Sequence, residues 1–154
     1  MTPAINLLKK QKIAHIVHEY VHNPASASYG LEAAEKLGIA PERVFKTLVL
    51  ALDSKALAVA VLPVSAQLNM KQAAKALGVK KAAMAAQADV ERSTGYVLGG
   101  VSPLGQKKLL TTAIDDSARE FTSIYISAGR RGLELELAAE DLCKMTRVVF
   151  APLI

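Results

Sequence analysis

Tryptophan is absent from this 154-residue chain, aromatic residues amount to 5%, and cysteine occurs once, at Cys143. A single thiol excludes an internal disulfide and suits a reducing compartment. With so few rings, the core has to be assembled from Ala, Val, Leu and Ile, and gains its stability through many small burials. The opening Met1-Thr2-Pro3-Ala4-Ile5-Asn6 has no charged region followed by a long apolar one, which argues against a signal peptide. The longest apolar run, Leu57 to Val64, falls far short of a membrane span. The expected location is the cytoplasm, with no membrane partner.

Apolar residues at 51% and charged residues at 21% exclude a disordered chain, and the length fits a single domain over 1–154. The formal net charge of +5 and pI of about 9.4 favour a polyanionic partner. The basic pairs are scattered: Lys9-Lys10, Lys80-Lys81, Lys107-Lys108 and Arg130-Arg131. Each pair alone fits a solvated face, whereas their joint bias points towards nucleic acid.

Along the chain, Thr2 and Pro3 open a helix carrying Ile5 and Leu8, and Ala14 to Tyr20 reads as a strand. The segment from Asn23 to Ser28 is a loop. Leu31 to Leu37 forms a helix stopped by Gly38, and Pro41 opens a turn. Phe45 to Leu52 and Ala56 to Leu62 make a hairpin around Asp53-Ser54-Lys55, apolar enough for burial on both faces. Asn69 caps a helix from Met70 to Leu77, and Gln87 to Thr94 forms another, ended by Gly95. Strands are expected at Leu109 to Ile114, Thr122 to Ser127, Leu133 to Leu137 and Arg147 to Phe150, with a helix from Ala138 to Met145. Strands and short helices interleave without a regular βαβ period. The predicted class is mixed α/β, or α+β, with a curved mixed sheet.

Lys46 is the first candidate for chemistry. Alternation along the strand puts it on one face with Leu48, Leu50 and Leu52, an ammonium on a surface otherwise apolar. Pattern alone favours a lysine at the strand start snorkelling to water. If it faces a pocket instead, it suits a phosphate, a ribose hydroxyl or a carbonyl oxygen. The glycine-rich stretch from Gly95 to Gly105 is the second candidate. Gly99-Gly100 lets backbone N–H groups approach a ligand closely, although a structural corner explains it equally well. His15, His18 and His22 share a face only on a helix; on a strand His15 and His18 diverge, so no metal is expected. Cys143 reads as a buried small hydrophobe rather than a nucleophile. No Gly-x-Ser-x-Gly elbow occurs, and the chain offers no obvious nucleophile of its own.

Phe45-Lys46-Thr47-Leu48, then Arg92-Ser93-Thr94-Gly95-Tyr96 leading into Gly99-Gly100-Val101-Ser102-Pro103-Leu104-Gly105, resembles the YbaK-type editing proteins. So does Tyr125-Ile126-Ser127-Ala128-Gly129-Arg130-Arg131-Gly132-Leu133-Glu134. This family includes free-standing Cys-tRNA(Pro) deacylases and the editing domain inserted in bacterial prolyl-tRNA synthetases, and the resemblance covers essentially the whole chain. It implies a mixed α/β fold around a barrel-like sheet, and removal of cysteine from mischarged tRNA(Pro), an error that arises because cysteine and proline are close in size. It implies Lys46 and Gly100 as catalytic residues, and Tyr20, Thr47, Gly99, Ser102, Ser127 and Glu134 as substrate-binding ones. Where close relatives carry Asp after Arg-Gly-Leu, this chain has Glu134, one methylene longer. The implied mechanism needs no protein nucleophile, metal or cofactor: the substrate thiol attacks its own ester carbonyl. The implied partners are the 3′ end of an aminoacylated tRNA and, transiently, prolyl-tRNA synthetase, with no DNA. Alternatives are a deacylase for another mischarged tRNA such as Ala-tRNA(Pro), or a non-catalytic tRNA- or synthetase-binding module.

Overall fold

The computed structural model describes residues 1–26 and 28–154, so the expected loop from Asn23 to Ser28 lies outside the described residues at Ala27. Helix α1 (Pro3–Lys10) begins where Thr2 accepts the Ile5 N–H, 3.3 Å away, while the same hydroxyl donates to the Ala128 carbonyl. One side chain thus caps the helix and ties it to the sheet beneath. Strand β1 (Ile16–Glu19) is followed by α2 (Tyr29–Leu37), which starts two residues earlier than the sequence suggests. Then come a 3-10 turn at Pro41–Arg43, the β2 (Phe45–Leu52) and β3 (Leu57–Pro63) hairpin, and α3 (Met70–Ala76). Asn69 caps α3 by accepting the Lys71 and Gln72 N–H groups, each at 3.1 Å. A short strand β4 (Ala82–Met84), absent from the sequence reading, precedes α4 (Gln87–Thr94). The rest is β5 (Thr112–Asp115), a 3-10 turn at Asp116–Glu120, β6 (Ile124–Arg130), β7 (Leu133–Leu137), α5 (Ala139–Leu142) and β8 (Val148–Ala151).

These strands form two sheets, in the orders β1-β7-β6 and β4-β2-β3-β5-β8. The first is antiparallel; the second joins the antiparallel β4-β2-β3 half to parallel β3-β5-β8 pairing. The mixed α/β class therefore holds, and an isolated bridge from Val44 to Tyr125 links the two sheets at one corner. Val59, Val61 and Ile114 of the larger sheet pack against Ile126, Leu133, Leu135 and Leu137 of the smaller one, with Ala4, Ile5 and Leu8 of α1 closing the end. On the other face of the larger sheet, Leu50, Ala60 and Ala113 lie under Ala73 of α3 and Leu153. Burial on both faces explains why β3 reads as an unbroken apolar run. No helix is long and apolar enough to cross a membrane among the described residues.

One strand edge is left open. β4 pairs with β2 only from Leu50 to Leu52, and beyond it the Ala85 N–H reaches the Val49 carbonyl at 3.0 Å. Among the described residues, no strand register covers that edge of β2 from Phe45 to Leu48. A cavity lies against it.

Candidate functional site

The cavity holds about 340 Å³ and is walled by stretches of chain distant in sequence. β2 supplies Phe45 to Val49, the start of α2 supplies Tyr29 and Gly30, and the glycine-rich loop supplies Leu98, Gly99 and Val101. The smaller sheet supplies Ser127, Arg130, Arg131 and Glu134, with Tyr20 entering from the end of β1 and Met84-Ala85 from the end of β4. This volume, with apolar walls and a few convergent polar groups, fits a small-molecule fragment such as an amino acid with part of its carrier.

Lys46 lines this cavity, half-buried at the start of β2, on the face that further along carries Leu48 and Leu50. Burial pushes its ammonium below the usual lysine range, and it makes no hydrogen bond or ion pair among the described residues. A cation taken partly out of water without a counter-charge is unfavourable unless something arrives to meet it. Its neighbour Thr47 is in a similar position: its hydroxyl is buried at the same wall with no hydrogen-bond partner.

Glu134 carries the largest carboxyl perturbation in the chain. Alternation along β7 should have sent it outwards, yet it is 7% exposed and lines the cavity. Burial pushes its carboxyl up to about 8, so near neutrality it is mostly the neutral acid. Tyr20 is raised as well, chiefly by burial and then by the nearby Glu134 carboxylate. Ser127 accepts the Gly129 N–H at 3.1 Å, which fixes its hydroxyl at the β6 bulge. The cavity therefore joins an unpaired cation, an orphan hydroxyl, a protonatable acid, and the exposed Arg130 and Arg131 at its rim.

Gly99 and Gly100 are glycines for two different reasons. Gly99 has φ of +89°, and a Cβ there would lie 2.5 Å from the Tyr29 ring and 2.7 Å from Arg131 Nε. Gly100 packs against backbone: its Cβ would sit 3.0 Å from the Arg130 Cα. The Gly100 N–H donates to the Val97 carbonyl at 2.9 Å, so this amide is committed within its own turn and does not face the cavity. Of the residues singled out from the sequence, Lys46, Thr47, Tyr20, Gly99, Ser127 and Glu134 come together around one cavity. Gly100 and Ser102 do not: both are buried behind the loop, and the Ser102 hydroxyl accepts the Leu104 N–H at 3.3 Å.

One further reading changes. Cys143 is exposed rather than buried, because α5 stops at Leu142 and the chain leaves the helix before the thiol can pack. The three histidines hydrogen-bond apart from one another, His15 with the Ile13 carbonyl, His18 with Glu136 and His22 with Glu32. Among the described residues no three His, Cys, Asp or Glu side chains gather as a metal site would require. Sequence reasoning missed Tyr29 and Met84 as cavity residues, and it saw Arg130-Arg131 only as one basic pair among several. Their signal is tertiary.

A family model described as an aminoacyl-tRNA editing domain matches residues 23–145. The chain is 37% identical over 150 residues to the Enterococcus faecalis protein named "Putative Cys-tRNA(Pro)/Cys-tRNA(Cys) deacylase EbsC", covering 97% of this chain and 91% of that one. It is 26% identical over 115 residues to the uncharacterized protein YwhH of Bacillus subtilis, covering 75% of this chain and 73% of that one. In fold it is similar to the crystal structure described as "a putative trans-editing enzyme for prolyl tRNA synthetase", with a TM-score of 0.81 at 19% identity, over 99% of this chain and 97% of that one.

Proposed function

The chain belongs to the aminoacyl-tRNA editing domain family, and from that premise we propose that it is a trans-acting deacylase that removes cysteine from mischarged Cys-tRNA(Pro). The observation that carries the reading is Lys46, a half-buried cation without a partner among the described residues, on the wall of a cavity of about 340 Å³. Such a group attracts a phosphate or ribose oxygen at the tRNA terminus and holds the ester beside the apolar wall of Phe45 and Val49. The orphan Thr47 hydroxyl gains a hydrogen bond to the same ligand, and Glu134 and Tyr20 meet its amino-acid end.

In the reaction, the substrate thiol loses its proton and its sulfur attacks the ester carbonyl carbon. The tetrahedral oxyanion then expels the ribose oxygen, which takes up the proton, leaving a cyclic thioester and free tRNA. No nucleophile from the protein is needed. The protein contributes mainly position. Holding thiol and carbonyl in an attack geometry is worth roughly 7–11 kcal/mol in favourable intramolecular cases. A thiol of pKa about 8.5 is already a few per cent thiolate near neutrality, so strong base catalysis is not required.

The chain acts as one unit over 1–154 in the cytoplasm, and a transient complex with prolyl-tRNA synthetase supplies the choice of tRNA. The net charge of +5 and the arginines at the rim suit the polyanionic substrate. The test is purified protein against cysteinyl-, alanyl- and prolyl-tRNA(Pro). Release of cysteine alone is expected. Release of alanine at a comparable rate would remove the thiol from the mechanism and favour an Ala-tRNA(Pro) deacylase.

A further inference from the structure

Tyr29 and Arg131 are 102 positions apart, yet they form one stacked pair at the cavity rim. The Arg131 guanidinium carbon lies 4.0 Å from the Tyr29 ring centroid, in the range of a cation–π contact. The guanidinium also donates to the Leu98 carbonyl at 2.8 Å. The Tyr29 ring also meets His22, at 5.7 Å between centroids and a tilt of 56°, and His22 Nδ1 is 2.6 Å from Glu32 Oε1. The phenol thus has two ring contacts, Arg131 and His22. Gly99 passes directly beneath the pair, where any Cβ would collide with both side chains. Three elements converge to present a flat surface, and nothing in the reactions of Lys46 or Glu134 calls for it.

Arg131 remains exposed after making these contacts and lines the cavity, so its planar cation is accessible there. Leu98, 48% exposed, adds an apolar edge next to it. A planar cation backed by an aromatic ring and flanked by an apolar side chain is the arrangement on which single-stranded bases stack. We propose that the Arg131–Tyr29 pair is the platform for the 3′-terminal nucleobase of the tRNA, a purine ring stacking on the plane of the guanidinium. The inference rests on the deacylase reading and deepens it. The base is held at the rim while the aminoacyl ester reaches inward to Lys46, which fixes the direction in which the ligand enters.

The experiment uses an acceptor-stem minihelix whose terminal adenine is replaced by 2-aminopurine, a base that loses fluorescence when stacked. Wild-type protein is expected to quench it. Arg131→Ala and Tyr29→Leu are expected to abolish the quenching and to weaken binding roughly 5- to 100-fold. Arg131→Lys keeps the charge but not the plane, so it too should lose the quenching while the salt dependence of binding stays as in wild type. Arg131 is exposed, so its variants should unfold in urea within about 1 kcal/mol of wild type, and that measurement separates lost stacking from lost folding. Full quenching in the Arg131→Ala and Tyr29→Leu variants, or full replacement of Arg131 by Lys, overturns the platform. Cysteine release from Cys-tRNA(Pro) by the wild-type protein is measured alongside. Release together with undisturbed quenching in the variants overturns the platform alone, whereas a wild-type protein that neither binds the minihelix nor releases cysteine overturns the deacylase reading as well.

Discussion

Replacing Glu134 with Gln should make the protein more stable, and increasingly so as the pH rises. In the folded chain the Glu134 carboxyl is raised by burial from an ordinary value of 4.5 to about 8. A carboxyl raised in this way keeps its proton in the folded state over a pH range where the unfolded chain has already released it. Folding is then unpenalised below pH 4.5 and loses stability progressively as the pH climbs through about 8. At about 1.4 kcal/mol per pKa unit the full span sets a ceiling near 5 kcal/mol. The carboxyl borders a cavity that admits water, so roughly 2–5 kcal/mol is expected. Gln has nearly the same shape, and the Glu134 carboxyl has no hydrogen bond among the described residues for it to lose. Thermal unfolding followed by circular dichroism from pH 4 to pH 9 reads the difference. Near pH 4 the two proteins should melt together. Near pH 9 the variant should melt higher, by roughly 5–15 °C for a chain of this size. Every other titrating group is common to both proteins, and Tyr20, which the Glu134 carboxylate raises, titrates above this pH range. A difference that stays constant over the range, or that shrinks towards high pH, would refute the placement of this carboxyl in a desolvated wall.

Other variants test neighbouring parts of the account. Thr47→Val removes a buried hydroxyl that has no partner, so stability should hold or rise by about 1 kcal/mol in urea unfolding while KM for the aminoacyl-tRNA rises. Gly100→Ala forces a methyl to within 3.0 Å of the Arg130 backbone, which cannot swing aside, and should cost roughly 1–3 kcal/mol in the same assay. Cys143→Ser should change stability by less than about 0.5 kcal/mol and leave deacylation intact, since the thiol is exposed and remote from the cavity wall.

Local chemistry made much of the fold legible. β2, α4 and β7 carry the bounds read from the sequence, because their apolar pattern and the Gly95 stop are properties of adjacent residues. β4 was not legible: Ala82-Ala83-Met84 has weak strand propensity, and it is a strand only because Leu50 to Leu52 offers an edge to pair with. α5 ends early for a related reason, since an apolar-looking helix to Met145 gives way to the turn that leads into β8. At the site, Lys46 stood out as a charge on an apolar face, and the structure resolves the choice between open water and a cavity by lining the cavity with it. The double glycine was legible as a special backbone but not in its purpose, because the Tyr29–Arg131 stack above Gly99 and the Arg130 backbone beside Gly100 arrive from distant segments. The burial of Glu134 was not legible, because alternation along β7 places it on the face opposite Leu133 and Leu135, and only distant segments of chain wall in that face.

The central claim is that the Lys46 cation holds the aminoacyl ester in the cavity. Single-turnover release of cysteine from Cys-tRNA(Pro) by Lys46→Ala, compared with wild type at matched folding, tests it most directly. Loss of a stabilising contact of this kind should slow release by roughly 10²–10³-fold. A variant that folds normally and releases cysteine at the wild-type rate would contradict the claim.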